Sequence, residues 1–75
     1  MPITPSEARR VARDYVVEQK GISSDVKVRV SDFGHLADGG YSVLVDVKLQ
    51  TKGTTRYRVK MDNNGKITSF VTRSP

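Results

Sequence analysis

Tyr41-Ser42-Val43-Leu44-Val45-Asp46-Val47-Lys48-Leu49-Gln50 alternates apolar and polar residues at a period of two. Tyr41, Val43, Val45, Val47 and Leu49 share one face, and Ser42, Leu44, Asp46, Lys48 and Gln50 share the other. A strand with one greasy and one wet face belongs to an antiparallel sheet that buries only one side. Downstream, Tyr57, Val59 and Met61 alternate with Arg56, Arg58 and Lys60, and Ile67, Ser69 and Val71 alternate with Thr68, Phe70 and Thr72. Upstream, Val26, Val28 and Val30 alternate with Lys27, Arg29 and Ser31. Strands are therefore expected at about 26–33, 41–50, 55–62 and 66–72.

The connections set the expected registers. A two-residue loop at Lys52-Gly53 sets Leu49 against Arg56 on one face, which the pattern forbids. A three-residue loop, Thr51-Lys52-Gly53 with Gly53 left-handed, pairs Val47 with Tyr57, Val45 with Val59 and Val43 with Met61 on the inside, and Asp46 with Arg58 on the outside. The same logic at Asn63-Asn64-Gly65 pairs Met61 with Ile67 and Tyr57 with Val71 inside, and Arg58 with Phe70 outside. An Asn64-Gly65 type I′ turn is the alternative; it opposes Met61 to Thr68 and buries Phe70. The first register is preferred.

Before the strands, residues 4–20 read as a helix. Thr4 is placed to cap it, Pro5 to open it, and Glu7 to complete a capping box, with Ile3 and Ala8 at the staple positions. Ala8, Val11, Ala12, Tyr15, Val16 and Gln19 fall on one face. Gly21 is the expected left-handed stop, with Ile22 packing back on Val17. One helix for four strands gives an α+β domain spanning 1–75: an amphipathic helix on one face of a four-stranded antiparallel meander, the other face open.

Tyr41-Ser-Val-Leu-Val-Asp-Val47 followed by Arg56-Tyr-Arg-Val-Lys-Met-Asp-Asn-Asn-Gly-Lys-Ile67 resembles the strand signature of PepSY-type domains, in which a helix precedes strands ending in an apolar-Asp-x-x-Gly-x-apolar turn. The element order resembles cystatin-like α+β domains. A weaker likeness, through Asp38-Gly39 before a Val-rich strand, is to the gas vesicle protein O family. The PepSY likeness implies an inhibitory or regulatory binding module. No functional residue is carried over from any of the three.

Composition narrows the chemistry. The chain has 75 residues, no cysteine, no tryptophan and one histidine. Disulfides, thiolate nucleophiles and Cys/His zinc sites are excluded. Asp32, His35 and Asp38 are three potential ligands on a glycine-rich segment, but their spacing fits no calcium loop, and no metal or cofactor is expected. There is no nucleophile elbow, no paired-carboxylate cleft and no phosphate loop opening a helix, so the chain is not expected to be an enzyme. No small-molecule substrate is inferred. Apolar runs reach three residues at most, so no membrane span is expected. Met1-Pro2-Ile3-Thr4-Pro5 does not have the build of a signal peptide, and a cytoplasmic location is the expectation.

Thirteen Lys and Arg against eight Asp and Glu give a net charge of +5. The helical segment carries Arg9, Arg10, Arg13 and Lys20 against Glu7, Asp14 and Glu18, so most of the excess belongs to the sheet. The open face is expected to display Lys27, Arg29, Leu44, Asp46, Lys48, Arg56, Arg58, Lys60, Thr68, Phe70 and Thr72. In the bland case that face is simply solvated, with Asp46 holding Arg58 and Arg58 lying on Phe70. In the functional case its candidate binding residues are Lys27, Arg29, Leu44, Lys48, Arg56, Arg58, Lys60 and Phe70. Phe33, His35 and Leu36 form a candidate recognition loop within 33–40. Two functions follow. The first is a small non-enzymatic protein-interaction or regulatory module, which includes an edge-strand homodimer. The alternative is single-stranded nucleic-acid binding, with cations on phosphates and Phe70 stacked on a base.

Overall fold

A computed structural model describes residues 2–23, 26–49 and 53–73. Helix α1 (Pro5–Lys20) is followed by β1 (Lys27–His35), β2 (Tyr41–Leu49), β3 (Gly53–Met61) and β4 (Ile67–Arg73). The strands pair antiparallel in the order β1-β2-β3-β4. The expected α+β architecture is present: one helix on one face of an open four-stranded meander.

The ends of α1 are fixed by the residues the sequence supplies. The Glu7 amide donates to Thr4 Oγ1 at 3.2 Å and the Thr4 amide donates to Glu7 Oε1 at 3.3 Å. This capping box satisfies donors that a helix start otherwise leaves bare. Gly21 closes the helix at φ 59°, and the Ile22 amide donates to the Val17 carbonyl at 3.1 Å. Ile3 ties the entry to the sheet. Its amide donates to the Asn63 carbonyl at 2.8 Å, and its carbonyl accepts from the Tyr41 hydroxyl at 3.1 Å.

Ala8, Ala12 and Val16 of the helix pack over Tyr41, Val43, Val45, Val47, Tyr57, Val59 and Met61. Small alanines let the helix sit close to the valine-rich centre. The helix crosses β1, β2 and β3, and reaches β4 through the side chains of Tyr15 and Lys20.

Two registers and the extent of one strand differ from expectation. Between β2 and β3 the pairs are Tyr41 with Met61, Val43 with Val59, Val45 with Tyr57 and Asp46 with Arg56, a slip of two residues. A two-residue slip keeps every side chain on its own face, so alternation cannot choose between the two registers. The observed one opposes nine residues of β2 to nine of β3 and sets Arg56, in place of Arg58, opposite Asp46. Gly53, expected in the turn, opens β3 at φ 77° opposite Leu49; Thr51 and Lys52 of the expected loop lie outside the described residues.

Between β3 and β4, Met61 does pair with Ile67, as the Asn63-Asn64-Gly65 turn implied. A bulge then intervenes, and Val59 opposes Phe70, Arg58 opposes Val71 and Tyr57 opposes Thr72. The strand thus begins in the preferred register and continues in the alternative one. Phe70 is on the helix side, half-buried, not on the open face. β1 contains a second bulge between Val30 and Asp32, beyond which Phe33 opposes Val43 and His35 opposes Tyr41. The strand therefore runs two residues further than expected, and Phe33 and His35 belong to β1 rather than to a loop.

Candidate interaction surface

Pairing places each side chain of the open face. From β1 come Lys27, Arg29 and Asp32; from β2, Ser42, Leu44, Asp46 and Lys48; from β3, Arg56, Arg58 and Lys60; from β4, Ser69, Val71 and Arg73. The expected set Lys27, Arg29, Leu44, Lys48, Arg56, Arg58 and Lys60 is brought together there, and Phe70 is not. Val71, Arg73 and Asp32 were missed, because the two bulges exchange the faces of the residues beyond them. A signal for them exists in the sequence. The apolar phase passes from even numbers (Val26, Val28, Val30) to odd (Phe33) in β1, and from Ile67 to Phe70 in β4.

Asp46 lies in register between Arg29 and Arg56. Arg56 Nε donates to Asp46 Oδ1 at 2.8 Å, and its Nη2 donates to Oδ2 at 3.4 Å. The expected partner was Arg58; the two-residue slip gives the place to Arg56. The hydrogen-bonded guanidinium holds the Asp46 carboxyl below the ordinary aspartate value, against partial desolvation, with Ser31 and Arg29 adding to the effect. Lys27, Arg29, Asp46, Lys48 and Thr54 line a shallow depression of about 290 Å³ at this end of the face.

Arg58, one step along the same face, has no such acid. Its cross-strand neighbours are Leu44 and Val71. The side chain is half-buried, and its Nε is shielded from water with no hydrogen-bond partner among the described residues. Val71 is 49% exposed.

Every aromatic ring of the chain lies on the other side of the sheet. Tyr15 meets Phe70 edge-on at 5.1 Å, and Tyr57 stacks on Phe70 at 5.6 Å. Lys20 Nζ sits 5.5 Å from the Tyr57 ring and 5.6 Å from that of Phe70. At the opposite end Phe33, His35 and Tyr41 cluster within 5.1–5.6 Å of one another, and the Arg9 guanidinium lies 4.8 Å from the Phe33 ring. Of the expected recognition loop only Leu36 remains in a turn, half-buried. Its amide donates to the Gly40 carbonyl at 2.8 Å, and its carbonyl accepts from the Gly39 amide at 3.0 Å. Asp32 and Asp38 each bond a nearby backbone amide, those of Phe33 and Gly40. No three acidic or histidine side chains gather as metal ligands among the described residues. None of the described helices is long and apolar enough to cross a membrane.

Compared with known proteins, the chain matches no family model, no curated protein and no solved structure.

Proposed function

We propose that this chain is a small non-enzymatic protein-binding module and that its partner docks on the open face of the sheet. The observation that carries this is the segregation of side chains. The open face holds seven cations, Lys27, Arg29, Lys48, Arg56, Arg58, Lys60 and Arg73, with two acids, Asp32 and Asp46, and the aliphatic Leu44 and Val71. All five rings are on the helix side. A platform for single strands combines cations on the phosphates with rings on which the bases stack. Here the cations remain and the rings are absent, so nucleic acid is left with phosphate contacts that salt erases. An acidic protein surface, by contrast, uses both the charge and the aliphatic centre. The resemblance of the strand signature to PepSY-type binding modules supports the same reading.

Titration with a labelled single-stranded oligonucleotide at several salt concentrations tests it. A protein-binding face predicts weak association at low salt that vanishes near physiological ionic strength, unchanged by Phe70→Ala. Tight, salt-resistant binding that maps to the open face would transfer the function to nucleic acid.

A further inference from the structure

We infer that the row Leu44–Arg58–Val71 is the anchor of the open face, and that it receives a side-chain carboxylate from an acidic protein segment whose flanking residues are apolar. This deepens the function proposed above and rests on it.

The neighbouring row shows what an arginine does here when an acid is available. Two residues before Arg58 on the same strand, Arg56 grips Asp46 with Nε and Nη2 in the side-on fork. Arg58 stands on the same face of β3 but opposes two aliphatic residues. Asp46 already gives both oxygens to Arg56, and Asp32, beside Leu44 in register, accepts from the Phe33 amide. The Arg58 fork is therefore left with a shielded donor that nothing in the described chain satisfies. Buried donors without acceptors are rare in folded proteins, and each needs a physical reason; an incoming acceptor supplies one here. A carboxylate arriving over the row lets the guanidinium lift and donate through the edge that Arg56 uses. A charge-assisted fork of this kind is among the stronger and most directional polar contacts.

The surroundings specify the rest of the partner. Val71 is half-exposed and Leu44 half-buried on either side of Arg58, so apolar residues next to the carboxylate gain contact area there. Arg56 and Lys60 flank Arg58 along β3; they repel cations and draw acidic segments toward the row. An isolated ion would use the charge and leave the aliphatic pair in water. A peptide uses both.

The test is a titration of the isotopically labelled full chain with an acetylated, amidated peptide of sequence Ser-Val-Glu-Leu-Glu-Ser, followed by NMR at the Arg58 Nε–H group and the Leu44 and Val71 methyls. The expected result is a shift of all three, with affinity falling about tenfold, a change of about 1.4 kcal/mol, when both glutamates of the peptide become glutamine. Arg58→Lys keeps the charge and loses the fork; it is expected to keep a native spectrum and lose a similar factor in affinity. Equal affinity for the Arg58→Lys chain, equal affinity for the glutamine peptide, or no peptide binding at all overturns the anchor. Shifts confined to other open-face residues also overturn it, while the protein-binding face stands. An oligonucleotide that moves the same resonances more tightly than the peptide overturns both.

Discussion

Asp46 and Phe70 show how one side chain's place depends on residues far from it. Asp46 is bonded to Arg56, an arginine that stays largely exposed, and exposed pairs contribute about 0–1 kcal/mol. The carboxyl pKa is lowered in the fold, so the pair's contribution is complete above the ordinary aspartate value of 3.8 and is lost as pH falls through the lower folded value. Asp46→Asn is expected to remove that acid-side slope while costing no more than about 1 kcal/mol at neutral pH, measured by urea unfolding across the acid range. Phe70 is half-buried between Tyr15 and Tyr57, and Phe70→Ala is expected to lower unfolding free energy by about 2 kcal/mol, below the cost of a fully buried ring. A change under half a kilocalorie would return Phe70 to the open face. Six of the seven cations on that face were legible from alternation; Arg73 was not, because it lies beyond the β4 bulge. The partner of Asp46 was not, because a slip of two residues preserves every facing and only the cross-strand pairs distinguish the registers.

At the level of elements, α1 was readable almost to the atom, since Thr4, Pro5, Glu7, Gly21 and Ile22 are local signals acting on local backbone. The strands were readable in number and order. Their bulges are a tertiary compromise: β1 buries Val26, Val28 and Val30 and also Phe33, which an unbroken period of two cannot do. The extra residue at Ser31 lets both sets face the helix. Deleting Ser31 is therefore expected to leave a folded protein, because Val30 still opposes Val45 and Phe33 still opposes Val43. Deleting Arg29 instead turns Val26 and Val28 outward and is expected to unfold or strongly destabilise the chain. Circular dichroism and urea midpoints separate the two. A regular edge strand also pairs more readily with other chains than a bulged one, so the Ser31 deletion is expected to raise self-association in sedimentation.

Across the whole molecule, charge is sorted by layer. The helix region is close to balanced, and the open face holds seven of the thirteen basic residues. Repulsion within one layer works against the compact state, and salt screens it over about 10 Å at 0.1 M. Moderate salt is therefore expected to raise the thermal midpoint. A fall on adding salt would mean that the Asp46–Arg56 pair outweighs the repulsion.

The placement of the rings has one more consequence. With no tryptophan, the ultraviolet emission of the chain comes from Tyr15, Tyr41 and Tyr57, all at the seam between helix and sheet. Light from this protein thus reports whether the helix is seated, and a ligand settling on the far face leaves it unchanged. Tyrosine emission therefore follows unfolding and is blind to docking.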